Sequence, residues 1–275
     1  LPTTHPLNLG MLGSHGGAPA NKAVRDADLV IMAGARGGDR AVAAPGQIAT
    51  RAKVIHIDID PAEIGKNMPA HIPIVGDLRH VLEDLLEQVD CAAPAEWVQA
   101  VTDRKQRYAA KPIPPVEGYV EPKTFMHTLS ARMAPDAVLC ADVGQNQIWS
   151  ANHFDIREGR FLTSGGMGTM GYSVPCAVGA KSAAPQRQVC AVCGDGSFQM
   201  SMMELGTICQ EGLGVKIVVM RNTRLGMVRE LQDNQYGGVH SGIDLTASPD
   251  FVKIAEAYGI RASAVSSNEE AAAAL

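Results

Sequence analysis

The sequence predicts an α/β protein made of two doubly wound, open parallel-sheet domains. Three observations carry this reading: short apolar runs bounded by glycine, proline or charge, helical spacing between those runs, and a proline-rich charged stretch separating two such series. A chain of 275 residues holds two domains of ordinary size.

Taken in order, Ala18 to Arg25 has helical spacing, and Asp28 to Ala33 and Lys53 to Asp58 are continuous apolar runs. Strands buried on both faces of a parallel sheet read this way, and helices are expected between them. Leu78 to Val89 sets Leu78, Val81, Leu82, Leu85, Leu86 and Val89 on one helical stripe. This alternation makes residues 1–90 a first domain. Residues 91–122 carry Pro94, Pro112, Pro114, Pro115 and Pro122 around the charged segment Asp103 to Tyr108, which reads as a linker with one exposed helix. Residues 123–275 form a second series: strand Ala137 to Ala141, helix around Met170 to Ala184, strand Val189 to Cys193, helix Met200 to Gln210 and strand Val215 to Met220.

Composition narrows the function classes. A formal charge of -5 without a lysine or arginine cluster gives no footprint for nucleic acid or an anionic membrane surface, leaving small molecules as the expected ligands. No apolar run approaches the ~20 residues that span a bilayer, and the N-terminus has no basic stretch followed by an apolar one. The six cysteines lack the density of a disulfide framework, so a reducing, cytoplasmic setting is expected. Cys190 and Cys193 form a CxxC within a strand, where positions three apart point to opposite faces, so both read as core. Leu1 opens without methionine and Ala271 to Leu275 ends inside a helical pattern, which reads as a fragment.

In open parallel sheets, ligands bind beyond the carboxyl ends of the strands. Gly194-Asp195-Gly196-Ser197 follows one strand directly and precedes a helix; its glycines admit a phosphate, the helix start offers N–H groups, and Asp195 offers a hard oxygen. Asn222 to Gly226 follows the next strand, with Asn222 lying 27 residues after Asp195. One strand-helix-strand crossover has about that length, so Asp195 and Asn222 are expected to share one cation. Near-octahedral oxygen ligation completed by a diphosphate suits Mg2+. The blander alternative is a turn at Gly194 to Gly196 and a cap at Asn222.

Gly194-Asp-Gly-Ser-Phe198 followed at this distance by Asn222 resembles the motif of thiamin-diphosphate-dependent enzymes. The family usually has two asparagines there; here Arg221 replaces the first, and metal binding is expected to survive. Val143-Gly-Gln-Asn-Gln147, Thr163 to Gly171 and Leu225-Gly-Met-Val228 are similar in order to acetolactate synthase catalytic subunits. The resemblance implies thiamin diphosphate contacts at Gln145, Asn146, Gly168, Thr169, Met170, Gly194, Asp195, Gly196, Ser197, Asn222, Leu225, Gly226 and Met227. Met170 is implied as the wedge that bends the cofactor, and Asp195, Asn222 and the Arg224 carbonyl as the metal ligands.

Gly10 to Gly16, Ala35-Arg36 through Asp39-Arg40, His56 to Pro61 and Gly76-Asp77 resemble the FAD-binding middle domain of the same family. The implied flavin residues are His15, Gly16, Arg36, Arg40, Asp58, Ile59 and Asp77, with Gly165 and Gly166 from the second domain. Physically, Arg36 and Arg40 past a strand end fork onto pyrophosphate and Asp58 accepts from ribose or adenine; the alternative is surface ion pairing. Gly37-Gly38 stands where the family commonly has Phe-Asp, so altered flavin binding is expected.

The resemblance implies decarboxylation of pyruvate and joining to a second 2-oxo acid, giving a 2-acetolactate-type product in branched-chain amino-acid biosynthesis. It places the activating glutamate in an N-terminal domain of a partner subunit. The chain alone is therefore expected to hold no catalytic carboxylate and to be inactive, with sites shared in a homodimer or tetramer and a small regulatory subunit as a further partner. Leu231 stands where many relatives carry tryptophan, which shifts acceptor preference. A related decarboxylase, oxidase or carboligase, and a non-catalytic nucleotide-binding module, are the alternatives.

Overall fold

The structure is a computed structural model that describes residues 1–42, 48, 50–90, 92–109 and 113–275. The chain divides into two units, Leu1 with His5–Lys111, and Pro2–Thr4 with Pro112–Leu275.

In the first unit, α1 (Ala18–Asp26) precedes β1 (Leu29–Ala33), β2 (Lys53–Asp58), β3 (Ile72–Val75), α2 (Leu78–Gln88) and α3 (Ala95–Arg107). The strands form one parallel sheet in the order β1-β2-β3. Met32, Val42, Val54 and Met68 pack its core. The helix expected between β1 and β2 falls on residues 43–47 and 49, outside the described residues. Helix α3 occupies the stretch read as a linker; it buries Val101 and ties Arg104 to Asp26 at 2.7 Å, within this unit.

The second unit runs α4 (Pro122–Arg132), β4 (Val138–Ala141), α5 (Gln145–His153), β5 (Arg160–Thr163), α6 (Ser173–Ala183), β6 (Val189–Gly194), α7 (Asp195–Ser201), α8 (Glu204–Gln210), β7 (Val215–Met220), α9 (Gly226–Gln235), α10 (Phe251–Ala257) and α11 (Asn268–Ala274). Its parallel strands stand in the order β5-β4-β6-β7. The chain winds one way from β4 to β5 and the other way through β6 to β7. The reversal lies between the carboxyl ends of β4 and β6, where this class of sheet leaves a ligand crevice.

Alternation along the strands supplies both faces. Leu139, Cys190 and Val192 pack under Phe125, Met126 and Leu129 of α4, while Val138, Cys140 and Cys193 pack under Val174 and Ala177 of α6, with Phe198, Leu205 and Ile208. Cys190 and Cys193 therefore sit on opposite faces, each fully buried, as the period of a strand requires. The helix expected at Met200 starts earlier, at Asp195, and continues after a break as α8. The turn that carries the Asp195 motif is thus the first turn of α7 itself.

Candidate functional site

Asp195 and Asn222 come together. Strands β6 and β7 end in register, Gly194 beside Met220, and the next residues turn toward each other. Asp195 is 1% exposed. Its Oδ2 accepts from the Asn222 N–H at 3.2 Å and the Thr223 N–H at 2.6 Å, and its Oδ1 accepts from the Gly196 N–H at 2.9 Å. Burial pushes this carboxyl above the usual carboxylate range, against the lowering pull of the N–H groups of Thr223, Gly196 and Asn222. Among the described residues no cationic side chain pairs with it. A buried carboxylate of this kind is stabilised by a cation.

Thr223, between Asn222 and Arg224, has φ +58°, a left-handed conformation that costs a non-glycine residue about 1–2 kcal/mol. Both of its main-chain groups are anchored: the N–H on Asp195, and the carbonyl, which accepts from the Leu245 N–H at 2.9 Å. Asn222 Oδ1 accepts from the Arg224 N–H at 3.0 Å, closing a tight turn and leaving a second lone pair on that oxygen.

Glycines keep the crevice open. A Cβ at Gly226 would run into Gln145 Oε1 and stand 2.9 Å from Asn222 Nδ2, and one at Gly196 would stand 2.6 Å from Leu225 Cδ2 and 3.5 Å from Met170 Cε. Gln145, Asn222 and Gly226 therefore converge, and Met170 and Leu225 form an apolar wall beside Gly196. A cleft of about 450 Å³ opens here, lined by Gln145, Asn222, Arg224, Gly226, Arg229 and Glu230 among others.

Three expected ligand donors are already engaged. The Gly194 and Gly196 N–H groups bond Ser197 Oγ at 3.1 Å and Asp195 Oδ1 at 2.9 Å, since these are the nearest acceptors in so tight a turn. Asn146 is 3% exposed, and its Nδ2 donates to the Asp142 carbonyl at 2.8 Å and the Val192 carbonyl at 3.3 Å. It staples β4 to β6 at the point of reversal. Gln145 Nε2 reaches Glu230 Oε2 at 3.4 Å. The segment with Gly168, Thr169 and Met170 is held by Ser164, whose Oγ accepts from the Thr169 N–H at 3.0 Å. Met227 lies in the first turn of α9.

Sequence reasoning missed Asp142. It is fully buried after β4 and accepts from the N–H groups of Val143 at 2.8 Å, Gly171 at 3.0 Å and Ser173 at 2.8 Å. It thereby fixes the Met170 loop and the start of α6. The signal was present: a lone carboxylate directly follows an apolar strand, as Asp195 follows Gly194 at the end of β6. Arg221 stacks over the Phe251 ring at 6.0 Å.

Among the described residues no cluster of three or more His, Cys, Asp or Glu forms a metal site. A cation at Asp195 would rest on one carboxylate, amide and carbonyl oxygens, and the oxygens of its ligand. That donor set, with glycines lining the crevice, fits a hard divalent ion holding a diphosphate.

In the first unit, Arg36 and Arg40 lie exposed beyond β1, and neither forms an ion pair among the described residues. The Arg40 carbonyl accepts from Ser14 N–H at 2.8 Å, which brings the segment of His15 and Gly16 against it. Asp58, at the end of β2, accepts from its own loop at Asp60 N–H, 3.0 Å away, and Ile59 is exposed. Asp77 caps α2 by accepting from Arg79 and His80 N–H. Gly37 is buried with φ +56°, a conformation that side-chain-bearing residues rarely adopt, and a Cβ there would stand 2.9 Å from Met32 Cε. Gly165 and Gly166 lie in an exposed turn of the second unit.

Residues 142–275 match the family described as thiamine pyrophosphate enzyme, C-terminal TPP binding domain, and residues 1–85 match thiamine pyrophosphate enzyme, central domain. The chain is 44% identical to an acetolactate synthase of Arthrospira platensis, over 94% of this chain and 46% of that protein. It is 41% identical to a probable acetolactate synthase large subunit of Methanocaldococcus jannaschii, over 98% of this chain and 47% of that one. The large subunit of Corynebacterium glutamicum acetolactate synthase is 42% identical, covering 100% of this chain and 45% of that protein. The chain thus spans about half the length of the curated relatives it matches.

Proposed function

This chain belongs to the thiamine pyrophosphate enzymes, and from that premise we propose that it supplies the diphosphate-binding and central domains of a Mg2+-dependent acetolactate synthase. The observation that carries the reading is Asp195 bonding the main chain of Asn222 and Thr223, in a family of this chemistry. When bound, thiamin diphosphate supplies the electron sink that lets a 2-oxo acid lose CO2 and be joined to another. Asp195, Asn222 and the Arg224 carbonyl would hold the cation, and Gln145 and the Gly194 to Ser197 turn would face the diphosphate. Met170 and Leu225, beside Gly196, would offer the cofactor an apolar surface. The activating glutamate, on which deprotonation of thiamin depends, would come from outside these residues, from a domain of a second copy of the protein.

The reading extends to a homo-oligomer with shared sites, a cytoplasmic setting and a role in branched-chain amino-acid biosynthesis. Curated relatives named large subunit support a smaller regulatory partner. No helix among the described residues is long and apolar enough to cross a membrane. The first unit would hold FAD, with Arg36 and Arg40 on its pyrophosphate; flavin absorbance in the purified protein, lost in the Arg36→Ala, Arg40→Ala double variant, tests that part. For the activity, the full-length protein is supplied with pyruvate, thiamin diphosphate and Mg2+. Production of 2-acetolactate is expected, and acetaldehyde as the sole product rejects the synthase.

A further inference from the structure

The segment after α9 returns to the metal loop and is fastened at both ends. Near α9, Gln232 Nε2 donates to the Ser241 carbonyl at 3.0 Å and its Oε1 accepts from the Ser241 N–H at 3.3 Å. One turn position further, Asp233 Oδ1 meets His240 Nε2 at 2.6 Å. At its far end the segment makes an antiparallel bridge, Arg224 beside Asp244. The Leu225 N–H donates to the Ile243 carbonyl at 3.0 Å and the Leu245 N–H to the Thr223 carbonyl at 2.9 Å. Ile243 is buried, whereas Tyr236 and Val239, in the stretch between α9 and the latch at His240 and Ser241, are exposed. Gly237, Gly238 and Gly242 have positive φ, so side-chain packing does little to stiffen the strap. Two side-chain anchors on α9 hold it, beside the Gly238 N–H that donates to the Gln232 carbonyl at 3.1 Å.

Thr223 is the element that needs holding. It sits in the left-handed region between two of the residues assigned to the cation, and an unheld threonine relaxes away from that conformation. Asp195 fixes its N–H from below; the strap fixes its carbonyl from the other side. We infer that Gln232 and the Asp233–His240 pair are positioning residues for the metal: by latching residues 236–245 onto α9 they hold Thr223, and with it Asn222 and the Arg224 carbonyl, ready for a divalent cation. Gln232 and His240 need not touch the ion or the diphosphate for this; Asp233 itself lines the cleft. The inference rests on the cofactor reading above.

The test uses the full-length protein and reads the Mg2+ concentration that half-saturates thiamin diphosphate binding, by calorimetry. In Gln232→Ala and in His240→Ala it rises about tenfold, the range in which supporting residues act on metal affinity. The melting temperature without metal stays at the wild-type value, and turnover at saturating Mg2+ and cofactor falls less than about twofold, since the final geometry is unchanged. The exchange Asp233→His with His240→Asp restores the wild-type half-saturation, while Asp233→His alone does not. Thr223→Gly, which adopts positive φ without strain, makes the Gln232→Ala effect smaller. Unchanged half-saturation in both alanine variants overturns the inference, as does a metal-free melting temperature lowered in step with it. Wild-type protein that binds no thiamin diphosphate with Mg2+ takes down the cofactor reading and this inference together, a result distinct from either of those.

Discussion

Replacing Asp195 by asparagine separates the fold from the site. In the structure Oδ2 accepts from Asn222 and Thr223 N–H, and Oδ1 from Gly196 N–H. The asparagine oxygen replaces Oδ2 and keeps both cross-strand bonds. Its amide then faces the Gly196 N–H, donor against donor, and one buried N–H left without a partner costs about 1–3 kcal/mol. Removing a buried charge whose protonation burial already favours offsets part of that. A net loss of about 1 kcal/mol lowers the melting temperature by about 2–4 °C in a protein of this size. The effect on the cation is larger. Two unit charges about 4 Å apart contribute about 4 kcal/mol at intermediate dielectric, so losing the Asp195 charge beside a divalent ion lowers affinity by at least about three orders of magnitude, at about 1.4 kcal/mol per tenfold. Scanning calorimetry of the metal-free protein and titration with thiamin diphosphate at fixed Mg2+ measure the two effects on one sample. Asp195→Asn that melts near the wild type and binds the cofactor within about tenfold of it refutes the ligand role.

Gly226→Ala places a methyl against Gln145 Oε1 and 2.9 Å from Asn222 Nδ2; both side chains have to swing aside, and cofactor affinity is expected to fall about tenfold with little change in melting temperature, by the same titration. Leu139→Ala empties a fully buried position beneath α4 and is expected to cost about 2–5 kcal/mol, seen as an earlier unfolding transition in the calorimeter. Glu121 caps α4 by accepting from Thr124 N–H at 2.7 Å. Burial works to raise its pKa, but the bonds from Thr124 and Lys123 and the Lys123 charge prevail and lower it. A lowered folded pKa means its contribution is complete above the ordinary carboxylate pKa and is lost as pH falls through the folded value. Denaturation midpoints taken from about pH 5 to about pH 3 should therefore drop more steeply in the wild type than in Glu121→Gln.

The strands legible from sequence were those with continuous apolar runs. Lys53 to Asp58 and Val215 to Met220 were read with the bounds they have in the structure, because each is a six-residue run rich in apolar and β-branched residues and bounded by turn residues. Strands β3 and β5 went unread: Ile72-Pro-Ile-Val75 and Arg160-Phe-Leu-Thr163 are short, largely unburied and interrupted by proline or charge. Helices α5 and α9 went unread for another reason. Gln145 to His153 is polar on most sides, and α9 opens on glycine, so each looked like a motif rather than an element. The metal loop was legible because one crossover has a characteristic length. The strap that holds it was not, since the bridge between Arg224 and Asp244 pairs residues across a loop rich in glycine, and no periodicity marks such a contact.

Asp142 and Asp195 show how far residue type alone falls short of role. Each is a buried aspartate directly beyond one of two neighbouring parallel strands, β4 and β6. Each accepts three main-chain N–H groups. The difference is where those donors come from. Those on Asp142 belong to its own loop and to the start of α6, and with Gly171 and Ser173 fixed, the Met170 loop is fixed too. Those on Asp195 come from its own turn and from the loop after β7, which carries the amide and carbonyl oxygens beside the cleft. The first carboxylate spends its charge on the shape of the crevice. The second gathers oxygen donors around itself, and only an arrangement of that kind has a use for a cation.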